Sequence, residues 1–594
     1  MSEPPSYPQI EPTTFDLIAA GTGLAECIVA AAASASGKTV LHLDTNPFYG
    51  SHYSSLSVPE LTSFLNSNST PSSPPSSTST TTDSLDYSIV NLTTQPVYSD
   101  VEISCFYPEL LEENLRKFNL DLCGPRVLFC ADKLIDLMLK SGASHYVEFK
   151  SIDASFVGDG NGKLWNVPDS RAAIFKDKSL TLKEKNQLMR FFKLVQGHLV
   201  ATVAAGSSGD DGNGNDEKEG KTKISDEDLE RPFIEYLSNM QLPPKIRSII
   251  LYAIAMADYD QDDRGVCQNL LKTKDGIDRL SLYQSSVGRF TNASGALIYP
   301  VYGQGELPQA FSRRSAVKGC IYVLRMPVTA LLMEKDSGRY KGVRLASGQD
   351  IFSQKLVLDP SLTLASPSAS PSDLLHESFN FLSTRDVRGK VARGICITRN
   401  SLKPDMSNLL VVYPPRSLYP EQITSIRALQ ISGNLAVCPL GMFVLYLSAL
   451  CDDAIQGKRL LNAAMNVLLT FPDSVNSESS STVQSENTEE KPTVIWSGLY
   501  IQEMSTVLHI LNFSLTISIP RVHTHVDIGM ASILFQGQFD SINFAPMPDG
   551  NLNYNDISDA AVKLFQEMYP NEEYFPETTP PENSEDDIGL SLET

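Results

Sequence analysis

Residues 15–44 read FDLIAAGTGLAECIVAAAASASGKTVLHLD, and this stretch decides the fold of the amino-terminal part of the chain. An apolar run leads into a glycine turn, an alanine-rich segment of helical length and a second apolar run that ends at Asp44. Asp44 follows Gly21 by 23 residues, which is the outline of a dinucleotide-binding β-α-β unit. In such a unit the glycines let the backbone approach a pyrophosphate at the start of the helix. The stretch therefore predicts an α/β fold of the FAD/NAD(P)-binding type.

The same turn is defective as a cofactor site. Gly21 and Gly23 are in place, but Glu26 stands where the pattern requires a third glycine. Its long side chain must splay the unit, point outward or interact with the helix dipole in place of the missing ligand. A carboxylate would also repel a pyrophosphate, by about 1–4 kcal/mol per pair of like charges roughly 4 Å apart. We therefore expect a vestigial loop, formed by Gly21, Gly23, Glu26 and Asp44, that holds no cofactor.

Composition limits the kinds of partner. The chain has 594 residues, with 48 Lys and Arg against 70 Asp and Glu and a formal net charge of −22. This acidity argues against binding to nucleic acid and against docking on anionic lipid through a basic patch. The 9 cysteines include no C-x-x-C pair, which indicates reduced thiols in a cytosolic protein. The amino terminus lacks a basic region followed by an apolar run, so we expect no signal peptide.

Two further sequence patterns suggest a membrane helix and a metal site, but each is better explained by a structural role. Residues 428–451 carry no charge and are long enough for a transmembrane helix. Gly433 and Pro439 interrupt them, so we predict two buried strands instead. His523 and His525 would share one face of a strand, but no matching Cys or acid cluster accompanies them. We therefore predict no metal site.

The chain divides into strand-rich flanks and a helical middle. We expect residues 1–166 and 289–594 to form one discontinuous, Rossmann-like domain with mixed sheets, and residues 167–288 to form an inserted all-helical domain. In the helical middle, apolar residues recur on one helical face in two segments. They are Leu188, Phe191, Phe192 and Val195 in the first, and Ile246, Ile249, Ile250 and Ala253 in the second.

Several segments have a composition typical of disorder. Residues 66–85, 205–223 and 474–491 are dominated by Ser, Thr, Asn, Gly and charged residues. Such segments bury too little apolar area to offset the entropy of the chain. We predict three disordered surface insertions and, over residues 577–594, a loose acidic tail.

Several long blocks resemble one protein superfamily. They are GTGLAECIVAAAASASGKTVLHLDTNPFYG (residues 21–50), HYVEFKSIDASFV (145–157), GKLWNVP (162–168), GRF (288–290) and LIYPVYGQGELPQAFSRRSAVKGCIYVLR (297–325). The superfamily is that of the Rab GDP-dissociation inhibitors and Rab escort proteins, in which an acid and a cysteine also replace the flavin-site glycine. The resemblance covers most of residues 15–465.

Within this superfamily the sequence is more similar to the escort branch, in its fungal type. The strand CIYVLR (320–325) resembles the escort version, with Ile321 and Val323 in place of the Thr and Met of the inhibitors. AAVKLFQEMYPNEEYFP (560–576) resembles a carboxy-terminal segment that plain inhibitors lack. Segment 504–541 matches no block of the superfamily.

The resemblance implies an accessory role in protein prenylation rather than an enzymatic activity. Such a protein binds newly made, GDP-bound Rab GTPases and presents their carboxy-terminal cysteines to the α/β heterodimer of Rab geranylgeranyltransferase. It then keeps the geranylgeranylated Rab in solution and delivers it to membranes. The implied partners are therefore unprenylated and geranylgeranylated Rab, the transferase, the geranylgeranyl lipid and, transiently, a membrane. The implied location is the cytosol, with the nucleus as a further compartment.

The resemblance also assigns roles to individual residues. Rab binding falls to Tyr49, Glu306, Arg313, Ile321 and Val323, and a groove for the Rab carboxy terminus to Leu134, Leu137 and Met138. The prenyl-binding candidates are Phe191, Phe192, Phe233, Ile246 and Ile250, and the transferase-binding candidates are Tyr283 and Phe290. Each assignment has a structural alternative, namely a turn tyrosine, a solvated helix face or plain core.

Two other functions remain open at this point. One is a plain Rab GDP-dissociation inhibitor, which retrieves prenylated Rab without supporting prenylation. The other is a flavin-dependent oxidoreductase of the amine-oxidase type, which shares the ancestral fold. Glu26, and Ser51 in place of a second glycine after Gly50, argue against the flavin enzyme.

Overall fold

The computed structural model describes residues 7–69, 87–168, 171–176, 178, 180–207, 223–262, 270–364, 387–472, 491–505 and 541–576. Most of the three low-complexity insertions and of segment 504–541 lies outside these residues. The acidic tail, His523 and His525 lie outside them as well.

Strands and helices follow one another through the described residues as follows. The strands are β1 (Thr14–Ala20), β2 (Val40–Leu43), β3 (Ser55–Leu56), β4 (Tyr87–Thr94), β5 (Tyr98–Cys105), β6 (Leu120–Asp121), β7 (Leu128–Phe129), β8 (Phe149–Ser151), β9 (Ala154–Gly158), β10 (Leu164–Asn166), β11 (Leu297–Pro300), β12 (Ile321–Val323), β13 (Val328–Glu334), β14 (Tyr340–Leu345), β15 (Asp350–Leu358), β16 (Leu362–Leu364), β17 (Val387–Thr398), β18 (Leu409–Tyr413), β19 (Ile426–Ser432), β20 (Phe443–Cys451), β21 (Val494–Ser505) and β22 (Ile542–Phe544). The helices are α1 (Leu24–Ala35), α2 (Val58–Ser67), α3 (Pro108–Leu111), α4 (Lys133–Ser141), α5 (Arg171–Lys176), α6 (Leu182–Ser207), α7 (Asp226–Glu230), α8 (Phe233–Asn239), α9 (Pro244–Ser248), α10 (Thr273–Ser286), α11 (Glu306–Val317), α12 (Ala454–Leu468) and α13 (Asn555–Met568).

The amino-terminal β-α-β unit forms as its sequence predicts. β1 and β2 pair in parallel, with Ala20 opposite Leu43. α1 connects them and is buried through almost its whole length, as expected for a helix that is apolar on every side. β1 also pairs in parallel with β15, where Ala20 lies opposite Leu358.

Two large sheets are built from the described strands. The first has the order β12-β2-β1-β15-β14-β13-β4-β16, with β22 pairing in parallel with β15. The second has the order β10-β9-β18-β19-β20-β17-β21-β5 and is antiparallel except where β9 meets β18. Both sheets are thus mixed, and with the helices of the middle segment they give the α/β fold that the sequence predicts.

The uncharged stretch 428–451 forms strands. β19 and β20 pair antiparallel, with Ala428 opposite Leu447, and both strands are largely buried. The prediction of two buried strands is confirmed. Among the described residues, we find no helix with the length and apolar character needed to cross a bilayer.

The middle of the chain is helical from α5 to α10. α6 buries Leu188, Phe191 and Val195, and the π-helical turn Ile249–Ile254 buries its whole apolar segment directly after α9. Both predicted apolar faces therefore point into a core. The domain boundaries at 166/167 and 288/289 stay a prediction.

The carboxy-terminal helix α13 returns to the first part of the chain. It packs against α1 and α4 and buries Leu564 and Phe565 in a core shared with both helices. Lys133 forms an ion pair with Asp559 at 2.7 Å, so α13 is tied to α4 at the surface as well.

Candidate functional site

The glycine turn lies where the carboxyl ends of three parallel strands meet. Gly21 follows β1, Asp44 follows β2 and Asp359 follows β15. Gly21 has a φ of 114°, and a Cβ at this position would lie 2.7 Å from the Cβ of Asp359, so glycine is required here. The sequence indicated Gly21 and Asp44 but missed Asp359. The signal for Asp359 was an acid directly after the apolar run LVL (residues 356–358), at the end of a buried strand.

Glu26 is buried and points back into the turn. A Cβ on Gly23 would lie 2.6 Å from Glu26 Oε2, and one on Gly21 would lie 3.2 Å from Oε1. The expectation that Glu26 splays the unit or points outward is therefore wrong, because the two glycines leave room for its carboxyl group. Burial raises the pKa of Glu26 well above its usual range, and the negative charge of Asp359 raises it further. A hydrogen bond from its own backbone N–H opposes this rise, which favours the third alternative, an interaction with the helix start.

Asp44 has its hydrogen-bonding capacity filled from within the chain. Its Oδ2 accepts from Thr22 N at 2.9 Å, Thr22 Oγ1 at 2.5 Å and Ser51 Oγ at 2.9 Å. Its Oδ1 accepts from the backbone and side-chain nitrogens of Asn46 at 2.7 and 2.9 Å. A carboxylate offers about four lone-pair sites, so these donors leave none for a ribose hydroxyl. Ser51, whose hydroxyl group donates to Asp44, has a backbone φ of 43°.

The residues around the turn do not fit a dinucleotide cofactor. A cavity of about 330 Å³ lies beside Gly21, Asp44 and Asp359, but the space above the glycines is taken by the carboxyl group of Glu26. Burial raises the pKa of Asp359, yet the His52 ring 3.3 Å away and the hydrogen bonds from Ser361 outweigh it and lower that pKa to about 2. A negatively charged Asp359 repels a pyrophosphate.

We expect the substitution Glu26→Gln to stabilise the chain increasingly as the pH rises. The raised pKa means that folded Glu26 keeps a proton that the unfolded chain releases above about pH 4.3. Stability is therefore lost as the pH rises through the raised pKa, and Gln abolishes this loss. Urea denaturation from about pH 5 to about pH 8 should show a growing difference in free energy of unfolding between variant and parent. The control Glu113→Gln, at an exposed position, should show none. A difference that does not change with pH for Glu26→Gln would contradict the buried proton.

Tyr49 lies in the loop after β2 and is joined to α11 through Tyr322. The rings of Tyr49 and Tyr322 pack edge to face with centres 5.7 Å apart. Tyr322 Oη lies 2.7 Å from Ser315 Oγ of α11, in hydrogen-bond contact. Burial raises the pKa of Tyr49, so this half-buried side chain keeps a neutral hydroxyl group.

α11 presents Glu306 and Arg313 two turns apart on one side, while its other side packs against α1. Pro308 lies in the first turn, where a proline is tolerated. Arg313 is exposed, and its Nη1 lies 3.4 Å from the carbonyl oxygen of Tyr146. Burial raises the pKa of Glu306 and the positive charge of Arg313 opposes the rise, so the two side chains are within electrostatic reach. We call Tyr49, Glu306, Arg313 and Tyr322 the platform.

Ile321 and Val323 do not join the platform. β12 is an edge strand, and its side chains alternate between the two faces of the sheet. Tyr322 packs on the side of α1 and α11, whereas Ile321 and Val323 pack against the core on the opposite side. Both side chains are half-buried on that face, so their assignment to Rab binding stays a prediction and does not involve the face that carries Tyr322. Sequence reasoning did not identify Tyr322 as part of this surface. The available signal was an aromatic residue between two aliphatic ones, because neighbouring side chains of a strand point to opposite faces.

Leu134, Leu137 and Met138 do not line an open groove. All three are buried in the core that α4 shares with α1 and α13. Their assignment to a groove for a partner segment is corrected, because the chain's own α13 covers this face of α4. The sequence pattern left groove and core equally open, and the structure shows core.

The five prenyl-binding candidates lie together in the helical middle. Phe191, Phe233, Ile246 and Ile250 are buried in one core, and Phe192 is half-buried at its edge. Phe233 packs directly on Gly276, where a Cβ would lie 2.4 Å from Phe233 Cδ1. The structure thus brings these residues together in a closed core.

The two transferase-binding candidates differ in exposure. Tyr283 is buried, with its ring centre 6.4 Å from that of Phe129, so it does not present itself to a partner, and that assignment is corrected. Phe290 is half-buried, and Arg289 lies over its ring at 5.5 Å. Phe290 stays a prediction.

One protein family matches most of the chain. The model of the family described as "GDI: GDP dissociation inhibitor" matches residues 11–89 and 90–496. The chain therefore belongs to the GDP dissociation inhibitor family. The crystal structure of Rab GDI from Plasmodium falciparum has the same fold, with a TM-score of 0.62 at 17% identity over 94% of this chain and 99% of that one.

Individual relatives place the chain more narrowly. It is 55% identical to Rab escort protein 1 of Arabidopsis thaliana, over 100% of both chains. It is 29% identical to "Rab proteins geranylgeranyltransferase component A" of Drosophila melanogaster, over 74% of this chain and 76% of the relative. The expected similarity to the escort branch is confirmed. The relative at 55% identity is a plant protein, which points away from the fungal type that we expected.

Proposed function

We propose that this chain is a Rab escort protein. It binds newly made, GDP-bound Rab GTPases, presents them to Rab geranylgeranyltransferase for prenylation of their carboxy-terminal cysteines, and chaperones the prenylated Rab to membranes in vesicle transport. It is a non-catalytic accessory component. The observation that carries the proposal is the 55% identity to Rab escort protein 1 along the full length of both chains. The occupied glycine turn supports it, because Glu26 excludes the cofactor of the related oxidoreductases.

The platform is the proposed contact surface for Rab. Arg313 is exposed on α11 and free to make the two-pronged hydrogen bonds that guanidinium groups form with carboxylates. Tyr49 adds an aromatic side chain held by Tyr322, and tyrosine and arginine are enriched among residues that dominate binding energy. Glu306 offers a carboxyl group of opposite charge two turns away on the same side of α11. This combination suits a polar, folded partner.

The lipid of geranylgeranylated Rab is proposed to enter the helical middle. Phe191, Phe192, Phe233, Ile246 and Ile250 form an apolar core there. Burying an isoprenoid gives about 0.8 kcal/mol per methylene, which is the gain available to separate these closely packed helices. The transferase is proposed to meet the same part of the chain, near Phe290. The proposed location is the cytosol and the nucleus, with transient association with membranes.

Reconstituted prenylation tests the proposal. Unprenylated Rab, the transferase heterodimer and geranylgeranyl diphosphate are combined with this chain, without it, or with a plain Rab GDP-dissociation inhibitor instead. Mass spectrometry of the Rab carboxy terminus should show geranylgeranylated cysteines only when this chain is present. Equal modification in all three reactions would refute escort activity and leave the plain inhibitor as the alternative. Stoichiometric flavin in the purified chain would favour the oxidoreductase instead.

A further inference from the structure

We propose that the outward face of α5 and α6 docks on an anionic lipid surface. We call this face the basic face and define it by Phe175, Leu182, Lys183, Arg190, Lys193 and Val200. It deepens the proposed function, since delivery of a prenylated Rab requires a surface that faces the membrane. Binding of the chain alone to lipid vesicles can fail without the escort function failing.

Positive charge is concentrated in the segment that contains α5 and most of α6. Residues 171–200 contain seven Lys and Arg against two Asp and Glu, in a chain whose formal net charge is −22. The overall acidity argues against docking of the whole chain on anionic lipid, but the potential near a surface is set by charges within a Debye length of about 8–10 Å. The positive net charge of this segment, and not the negative net charge of the whole chain, therefore determines its attraction to anionic lipid.

Helical geometry places the cations and the exposed apolar side chains on one side of α6. At 3.6 residues per turn, Leu182, Lys193 and Val200 fall on one stripe, with Lys183 and Arg190 beside it. Lys183, Arg190 and Lys193 are exposed, and the opposite side of α6 is buried in the core of the helical middle. The outward side is covered by no described element.

Three large apolar side chains project among these cations. Phe175 is 54% exposed, Leu182 72% and Val200 65%. Lys185 Nζ donates to the carbonyl oxygen of Phe175 at 2.7 Å, which holds the end of α5 beside the start of α6. An exposed aromatic and two aliphatic residues among lysines and arginines are typical of helices that lie in a membrane interface.

The one acidic side chain described within this segment is directed away from the basic face. Glu184 Oε2 accepts from Thr181 N at 2.7 Å and from Thr181 Oγ1 at 2.9 Å, which makes it part of the cap at the start of α6. Its carboxylate is therefore occupied at the helix end. An acidic protein could also meet the cations, but exposed apolar side chains spread over about 27 Å of one helix fit a flat lipid surface better.

Vesicle sedimentation of the full chain tests the proposal. The chain should bind vesicles of phosphatidylcholine with phosphatidylserine, should not bind vesicles of phosphatidylcholine alone, and should be released by salt. The triple variant K183A/R190A/K193A should lower the partition coefficient about 100-fold, which is about fivefold per cation. The pair Phe175→Ser and Leu182→Ser should lower it independently of salt. The control triple variant R116A/R339A/R399A removes three exposed cations elsewhere and should bind like the parent.

Three outcomes would overturn the proposal: absence of parent binding to the anionic vesicles, equal loss in the control triple variant, or parent-like binding of K183A/R190A/K193A. If the chain binds polyglutamate through the basic face but not the vesicles, an acidic protein is the partner instead. Circular dichroism checks that each variant is folded, and the charge variant alone suffices if the apolar pair does not fold. The affinity for GDP-bound Rab should be unchanged in every variant, which separates this test from that of the escort function.

Discussion

Replacing Phe565 by Ala is expected to lower the free energy of unfolding by about 3–5 kcal/mol. Phe565 is fully buried in the core that α13 shares with α1 and α4. Its ring centre lies 5.5 Å from that of Tyr569 and 5.3 Å from that of Tyr574. Truncation would leave a cavity among these groups. Urea denaturation, monitored by circular dichroism, measures the loss.

The matched control is Gln566→Ala, at the next position and exposed, which should change the free energy of unfolding by no more than about 0.5 kcal/mol. A loss below about 1 kcal/mol for Phe565→Ala would mean that α13 is not a structural part of the core. In that case the apolar face of α4 around Leu134 and Met138 would again be free to serve as a groove. The experiment therefore decides whether these residues of α4 form a groove for a partner segment or part of the core under α13.

Arg313→Ala is expected to weaken the binding of GDP-bound Rab by about 1–3 kcal/mol, as for a truncated charged residue at the centre of an interface. This corresponds to an increase in Kd of about 5- to 150-fold. The folded chain should lose little stability, because Arg313 is exposed and its polar contact to the Tyr146 carbonyl is long, at 3.4 Å.

Isothermal titration calorimetry with unprenylated, GDP-loaded Rab measures the effect. Arg339→Ala is the control, since Arg339 is an exposed arginine on the turn between β13 and β14. It should bind Rab like the parent. An unchanged Kd for Arg313→Ala, with circular dichroism showing an intact fold, would remove Arg313 from the platform.

The local parts of the fold could be predicted from the sequence. The β-α-β unit follows from apolar runs that flank a glycine turn, and the buried sides of α6 follow from helical spacing. The two strands within residues 428–451 follow from the glycine and proline that interrupt an uncharged run. In each case the deciding interactions are between residues close in sequence.

Long-range packing could not be predicted in the same way. α13 covers α4 although more than 400 residues separate them in sequence, and an amphipathic pattern on α4 does not say what covers it. The direction of Glu26 depends on free space above Gly21 and Gly23, which a one-dimensional pattern does not show. Strand alternation predicts that Ile321 and Val323 lie on one face of the sheet and Tyr322 on the other. It does not predict which of the two faces is directed towards α11.

Binding of unprenylated Rab to the purified chain tests most directly whether the chain acts as an escort. Calorimetric titrations compare one Rab loaded with GDP and the same Rab loaded with a non-hydrolysable GTP analogue. We predict saturable, one-to-one binding of the GDP form and weaker binding of the GTP-analogue form. Equal affinities for the two forms, or no binding of unprenylated Rab at all, would contradict the account.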